Sequence, residues 1–169
     1  MSKLFNWLNI FNFRSQISEL FVNNELNPLL IIHIYNHYMN QRIEYITLLI
    51  DDYDKAIEFF TKKLHFILIE DTKLSDTKRW VLVKPEGQNG CCLLLAKAAN
   101  YQQSQMIGNQ SGGRVFLFLH TDNFKRDYQN LLENGIPIMR EPVVESYGTV
   151  AVFKDIYGNL WDLIEPSPD

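Results

Sequence analysis

The fold of this chain is decided by residues 46–60, ITLLIDDYDKAIEFF, and by the return of the same pattern at residues 114–132, RVFLFLHTDNFKRDYQNLL. In each copy a run of aliphatic, strand-forming residues leads into an aspartate, Asp52 or Asp122, that suits the N-cap of a helix. Apolar residues then recur at helical spacing. The two aspartates are 70 residues apart. This repeat predicts an internal duplication in which each half begins with a strand and a helix.

Three short strand-like segments follow the helix in each half. The predicted strands are 43–50, 66–70, 80–84 and 91–98 in the first half, and 114–120, 136–144, 149–155 and 159–165 in the second. A polar segment, 99–113, separates the halves and predicts a loop with one short helix. The chain is therefore predicted to have an α+β fold made of two βαβββ modules, 43–98 and 114–166.

The composition is that of a single globular domain. The 169 residues are 46% hydrophobic and 21% charged, which argues against intrinsic disorder. A formal net charge of −4 predicts neither a nucleic-acid partner nor an anchor on an acidic membrane. No signal peptide is visible, and no apolar stretch approaches the roughly 20 residues that cross a bilayer. The two cysteines, Cys91 and Cys92, are adjacent, so they predict no disulfide framework and indicate a reducing, cytoplasmic compartment.

Residues 1–40 differ in composition from the rest of the chain, because they contain eight asparagines and no glycine. Their apolar residues recur at helical spacing, which predicts an N-terminal helical extension before a domain that spans 41–167. Two interpretations remain open. The extension either packs on the domain or is partly disordered, or else Met39 is the natural start and residues 1–38 are an upstream in-frame addition.

Four phrases carry a resemblance to a known superfamily: residues 46–60 above, 78–83 (KRWVLV), 108–121 (GNQSGGRVFLFLHT) and 153–165 (FKDIYGNLWDLIE). Together with the duplication, they resemble the vicinal oxygen chelate superfamily of glyoxalases, bleomycin resistance proteins and dioxygenases, and one bacterial glyoxalase-like subgroup in particular. The resemblance covers about residues 41–167. It implies that the eight strands form a curled mixed sheet around a cleft.

The sequence departs from the family pattern at two turns. The first helix of the family usually ends in Leu-Gly-Phe, whereas His65 stands here at the glycine position, so we expect His65 in the left-handed region. The final turn usually reads Asp-Pro-Asp-Gly-Asn. Ile156 and Tyr157 replace its middle pair, and Gly158 remains to provide a positive φ.

Metal-using members of the family bind a divalent ion with one side chain from the first and one from the last strand of each module. The resemblance places these positions at Tyr45, Leu94, Val115 and Asp162. Only Asp162 is a good ligand for a hard cation, because a phenol keeps its proton at neutral pH and aliphatic side chains have no donor atom. A catalytic ion needs about three donors or more. We therefore predict no metal cofactor, with a divalent ion as the less favoured alternative.

The cleft that the resemblance implies is apolar with a few polar groups, which is typical of a small-molecule site. Alternation along the strands predicts Thr47, Cys92, Leu94, Val115 and Leu117 as ligand-binding residues. Arg79 and Trp80 are candidates for the rim of the cleft, as a cation–aromatic or anion-binding pair, with packing between strands as the alternative. Asp162 and Tyr45 are the candidate catalytic residues, because a carboxyl among aliphatic side chains has a raised pKa and can exchange protons. The structural alternative is that Asp162 pairs with Tyr45 or Arg79 and only holds the strands together.

The sequence is thus interpreted as a glyoxalase-like protein that binds a small organic molecule without a metal. One alternative is a lyase, isomerase or dioxygenase that uses a metal or Asp162, and another is a protein that sequesters a drug or metabolite. Apolar residues lie on more than one side of the first helix, at Ile57, Phe59 and Phe60, where a helix with one buried stripe needs fewer. Together with Phe5, Trp7, Phe11 and Phe13 of the N-terminal segment, they predict a two-fold homodimer in which the N-terminal helices lie in the interface or cap it.

Overall fold

The computed structural model describes residues 41–87 and 90–168, and the predicted N-terminal extension lies outside them. The strands are β1 (Tyr45–Ile50), β2 (Ile67–Lys73), β3 (Arg79–Lys84), β4 (Cys92–Lys97), β5 (Val115–His120), β6 (Ile138–Glu145), β7 (Gly148–Lys154) and β8 (Leu160–Pro166). The helices are α1 (Tyr53–Glu58), which continues as a π-helical turn (Phe59–Lys63), α2 (Tyr101–Gln105) and α3 (Phe124–Glu133). Within these residues, no helix has the length and apolar character that a membrane crossing requires.

The strands form two four-stranded mixed sheets, one for each module. Their orders are β1-β4-β3-β2 and β5-β8-β7-β6, so the second sheet repeats the first. In each sheet the first and last strands of the module pair in parallel, and the other neighbours pair antiparallel. The two βαβββ modules and the α+β class predicted from the repeat are therefore confirmed.

The helices of the two modules begin with different caps. Asp52 is the N-cap of α1, as predicted, and its carboxylate accepts hydrogen bonds from the N–H groups of Asp54 and Lys55. In the second module Asn123, not Asp122, is the N-cap of α3 and accepts from the N–H of Arg126. The predicted cap at Asp122 is thus wrong by one residue, because either side chain can cap a helix and only the backbone decides between them.

His65 ends the first helical segment in the left-handed conformation, with φ of 57°. This is the conformation predicted for a residue at the glycine position of the family. The Nε2 atom of His65 lies 2.8 Å from Oδ1 of Asn130 on α3, and the Asn130 amide donates in turn to the carbonyl of Lys63. These contacts attach the end of the π-helical turn to the helix of the second module.

One hydrophobic core joins the helix-bearing faces of both sheets. Phe60 is fully buried at its centre, and its ring centroid lies 6.0 Å from that of Trp161 on β8. Leu48 and Ile50 of β1 and Phe153 of β7 are also fully buried in this cluster. Successive residues of a strand point to opposite faces, so the alternate residues of both sheets are directed away from the core.

The residues of the helical segment that were expected at a dimer interface belong to this core or pack against it. Phe59 and Phe60 are both buried in the core, and Ile57 packs against it. The prediction that these three residues contribute to a dimer interface is wrong, whereas the N-terminal residues of the same prediction lie outside the described residues. Their positions around the helical segment are explained instead by its contact with two sheets at once, which buries more than one stripe.

A buried carboxylate organises the turn that leads into β8. Asp155 is 4% exposed, and its Oδ1 accepts hydrogen bonds of 2.9–3.0 Å from the N–H groups of Tyr157, Gly158 and Asn159. Its Oδ2 accepts from the Asn159 amide at 2.9 Å and from the Trp161 indole at 3.2 Å. Gly158 has φ of 100°, as predicted. The carboxylate thereby ties the turn to the central tryptophan of the core.

Within residues 41–87 and 90–168, the side chain of Gln110 covers part of the free edge of β1. The Leu49 N–H donates to Oε1 of Gln110 at 2.5 Å, and Nε2 of Gln110 donates to the Thr47 carbonyl at 3.0 Å. The two bonds reproduce the pairing that a neighbouring strand would make. Gln110 lies in the linker between the modules, so the linker completes the first sheet.

We predict that Asp155→Ala lowers the free energy of unfolding by on the order of 3 kcal/mol, because several buried N–H donors lose their shared acceptor. Urea unfolding of the variant and the unchanged protein measures this. Asp76→Ala is the matched control: the Asp76 side chain is 96% exposed and pairs only at the surface with Lys73, so its loss changes stability by about 0.5 kcal/mol or less. Equal effects of the two substitutions would contradict the prediction.

Candidate functional site

The face of the first sheet that points away from the core forms an open cleft of about 1100 Å³. Every lining residue belongs to residues 47–103, so the cleft is built by the first module and the start of the linker. Alternate residues of two parallel neighbours, β1 and β4, make its floor: Thr47, Leu49, Leu94 and Ala96. The floor is apolar except for the Thr47 hydroxyl.

Aromatic side chains stand beside this floor. Tyr45 is 44% exposed on the same face of β1, and its ring contacts Trp80 edge to face with 5.8 Å between centroids. Cys92 pairs with Tyr45 in the β1–β4 register. Burial raises the pKa of the Cys92 thiol, so at neutral pH the sulfur remains protonated and is a weak nucleophile. Cys92 is therefore suited to packing against a ligand rather than to attacking it.

Arg79 lines the cleft, but its guanidinium is already bound. It donates to Asp54 at 2.6 Å and, through Nε at 2.8 Å and Nη2, to both carboxylate oxygens of Asp71. The guanidinium also lies over the Tyr53 ring, 5.1 Å from its centroid. The hydrogen bonds from Arg79 lower the pKa of Asp71, which therefore stays ionised. With two carboxylates around it, this arginine offers little net positive charge to an anionic ligand.

Asp162 is the unusual residue on the outward face of the second sheet. It is 9% exposed, and within the described residues its Oδ1 has no hydrogen-bond partner. The structural alternative of a pair with Tyr45 or Arg79 therefore leaves this oxygen unexplained. Burial raises the pKa of the carboxyl, and the positive charge of Arg140 on β6 opposes the increase. Buried polar atoms are nearly always hydrogen-bonded, so an orphaned oxygen marks a place where another group is needed.

Phe118, not Leu117, lies beside Asp162. The register between β5 and β8 shifts at a bulge between Val115 and Leu117, so that Phe118 pairs with Asp162 and Leu117 pairs with Trp161. Leu117 packs against the core as a result, and the prediction that it faces the ligand is wrong. Phe118 is 62% exposed. The prediction assumes regular alternation of side chains along β5. The extra residue at the bulge reverses which of the following side chains face outward.

Apart from Leu117 in the core and Arg79 on the helix side of β3, the predicted site residues fall into two groups, which we name half-sites. The first half-site is the outward face of the first sheet, with Thr47, Trp80 and Leu94 at the cleft. The second half-site is the outward face of the second sheet, with Phe118 and Asp162. Both faces point away from the shared core. The structure therefore does not bring Asp162 to the cleft residues of the same chain.

The positions that correspond to the family's metal ligands do not fit a metal ion. Tyr45 and Leu94 belong to the first sheet, whereas Val115 and Asp162 belong to the second, and Asp162 is the one carboxylate among them. Over residues 41–87 and 90–168, no group of three or more His, Cys, Asp or Glu side chains is placed to hold an ion. We therefore derive no chemical step through a metal.

Two βαβββ modules, each pairing its first and last strands in parallel, define the class of vicinal oxygen chelate folds. Residues 42–163 match the profile of the Glyoxalase/Bleomycin resistance protein/Dioxygenase superfamily, and the chain belongs to this family.

Relatives of the chain are bacterial. An uncharacterized protein of Shewanella frigidimarina (strain NCIMB 400) is 56% identical over 128 residues, which cover 75% of this chain and 95% of that protein. Among solved structures, UcmS2 is 28% identical with a TM-score of 0.66 over 75% of this chain and 99% of its own. TnmS3, described as an antibiotic binding protein from Streptomyces sp. CB03234, is 26% identical with a TM-score of 0.62 over 78% and 100%.

We predict that Asp162→Asn raises the free energy of unfolding at pH 7 by about 1 kcal/mol, because it removes a buried charge that lacks a partner. The folded-state pKa of Asp162 lies above its unfolded value, so ionisation opposes folding at every pH above the folded pKa. That cost disappears as the pH falls below the ordinary aspartate range. Thermal unfolding between pH 3 and pH 8 (a range of about 5 units around the pKa values at issue) should show the gain shrinking on acidification.

The exposed carboxylate Asp76 again supplies the control, since Asp76→Asn should change the free energy of unfolding at pH 7 by about 0.5 kcal/mol or less. An Asp162→Asn variant less stable than the parent at pH 7 would show that the carboxylate has a stabilising partner.

Proposed function

We propose that this protein binds a small organic molecule in a cytoplasmic, metal-free site. The observation that carries the proposal is the buried Oδ1 of Asp162 on the outward face of the second sheet, which has no hydrogen-bond partner among the described residues. A ligand that donates a hydrogen bond to this oxygen would remove the penalty of leaving it unsatisfied. The cleft of about 1100 Å³ over Thr47 and Leu94 has the size and the mainly apolar floor of a small-molecule site.

The complete site needs a second copy of the chain. Each chain has one first half-site and one second half-site, and these face away from each other across the core. A two-fold homodimer that lays the second half-site of one copy over the first half-site of the other would close two identical sites. Phe118 supports this arrangement, because it is a large apolar side chain that is 62% exposed at the half-site, where the partner copy would cover it.

Two further candidate functions have specific support. TnmS3 is described as an antibiotic binding protein, which favours sequestration of a drug or metabolite. The raised pKa of Asp162 favours an enzyme in which this carboxyl exchanges a proton with the ligand. Tyr45, the other candidate catalytic residue, would reach Asp162 only from the second copy. A turnover screen on bound ligands, with and without added divalent metal, separates the enzyme from the binding protein.

We predict that the full chain is a dimer with twice its mass of 19.9 kDa in light scattering. Phe118→Glu should give a monomer, because it places a charge on the apolar half-site. The matched control is Leu132→Glu on α3, where Leu132 is 47% exposed outside both half-sites, and this variant should remain dimeric. A monomeric full chain at micromolar concentration would overturn the shared-site arrangement.

We predict that a panel of ring-containing apolar compounds includes members that raise the midpoint of thermal unfolding, since a ligand of the folded state stabilises it by mass action. Leu94→Trp fills the floor of the cleft and should abolish the increase. Leu132→Trp adds the same side chain elsewhere and should preserve it. Shifts that survive Leu94→Trp would place the ligand outside the cleft.

We predict that the purified protein contains no stoichiometric divalent ion, because the four family positions supply one carboxylate in place of about three donors. Elemental analysis of protein prepared without chelators measures the metal content. One Zn, Ni, Mn or Fe per chain that is lost in Asp162→Ala would refute this prediction and support the metal-dependent alternative.

A further inference from the structure

The second half-site limits the chemistry of its ligand through the surroundings of Asp162. Val152 on β7 is the cross-strand partner of Asp162, and the next outward residue of β7, Val150, is fully buried. Aliphatic neighbours supply no donor, and Oδ1 of Asp162 is unpartnered among the described residues. A molecule that binds here therefore gains most if it brings an O–H or N–H group to this oxygen.

An aromatic surface is available next to that acceptor. Phe118 of β5 pairs in register with Asp162 of β8, so the two side chains stand side by side on the outward face. Phe118 is 62% exposed, unlike the aromatic residues of the core, and its ring is free to pack against a flat group. The donor and the flat group must then be close together in the ligand, because the acceptor and the ring are neighbours.

The charges of the half-site are balanced. Arg140 on β6 pairs with Val152, which in turn pairs with Asp162, so Arg140 and Asp162 share one face two strands apart. A cationic ligand would be attracted by Asp162 and repelled by Arg140, and an anionic ligand would experience the reverse. Burial adds a desolvation penalty for either ion. An uncharged donor avoids both opposing effects.

We propose that the ligand is an uncharged molecule that carries an O–H or N–H donor directly on a flat aromatic ring, with the donor bonded to Asp162 and the ring packed on Phe118. This inference rests on the proposed function and names the class of ligand for the same site. It assigns Phe118 and Asp162 as the pair of residues that select the ligand.

Four naphthalene probes of equal ring size test the proposal on the full-length protein. They are 2-naphthol (neutral donor), 2-methoxynaphthalene (neutral, no donor), 2-naphthylmethylammonium (cation) and 2-naphthoate (anion), each titrated by calorimetry at pH 7. A hydrogen bond to a charged acceptor corresponds to about tenfold or more in affinity. We therefore expect 2-naphthol to bind about tenfold more tightly than 2-methoxynaphthalene, and more tightly than both ions.

Two substitutions and one control variant test whether the preference for 2-naphthol arises at this half-site. Asp162→Leu should bind 2-naphthol and 2-methoxynaphthalene equally, because the acceptor is gone while the apolar surface remains. Glu58→Leu, at an exposed carboxylate of α1 outside both half-sites, should keep the tenfold preference. Phe118→Leu should lower the affinity for both neutral probes several-fold, because it removes ring stacking. The ratio of the two affinities should stay unchanged, because the acceptor Asp162 remains. Light scattering on each variant confirms that the assembly is intact.

The outcomes separate this inference from the proposed function. Equal binding of the two neutral probes to the unchanged protein overturns the donor requirement and leaves small-molecule binding in place. Tightest binding of the ammonium or the carboxylate probe overturns the uncharged class. A preference for 2-naphthol that persists in Asp162→Leu overturns the assignment to Asp162. Failure of all four probes overturns the inference, whereas the proposed function is decided by the thermal-unfolding panel.

Discussion

The contact between Phe60 and Trp161 is the constraint on which the rest of the structure depends. One ring comes from the π-helical turn of the first module and the other from the last strand of the second, with 6.0 Å between their centroids. Burying both directs the helix-side residues of the two sheets into one core. Successive side chains of a strand point to opposite faces, so the residues between the core-facing ones point outward on both sheets. The positions of the half-sites follow from the packing of the core.

Much of this fold is readable in the sequence, because the duplication repeats each decisive signal. The strand and helix at 46–60 return at 114–132, and the left-handed residue at His65 was recognisable from its position after the helix. The bulge in β5 could not be predicted from the sequence. The residues on both sides of it are apolar, so they suit the pairing with β8 both with and without the extra residue. The cap at Asn123 was missed for a similar reason, since neighbouring Asp and Asn side chains serve equally well.

Only part of the candidate site could be predicted from the sequence, and two charged residues show why. Asp162 and Arg79 both appeared as polar groups at the edge of an apolar cleft. In the structure Arg79 is bound by Asp54 and Asp71, which come from other elements, whereas Oδ1 of Asp162 has no partner in the described chain. Whether a polar residue is free for a ligand depends on which strands and turns approach it, and the local sequence does not contain that information.

The hydrogen bonds that cover the edge of β1 have a consequence while the protein is being synthesised. Gln110 supplies two hydrogen bonds to this edge, and it is made after all four strands of the first module. The ribosome releases the chain from its N-terminal end, so β1 and its partner β4 leave it before Gln110 does. Until Gln110 follows, the linker cannot cover the outer edge of β1, and an uncovered strand edge is a known site of unwanted pairing with other chains. The polar linker that follows closes this period of exposure during translation.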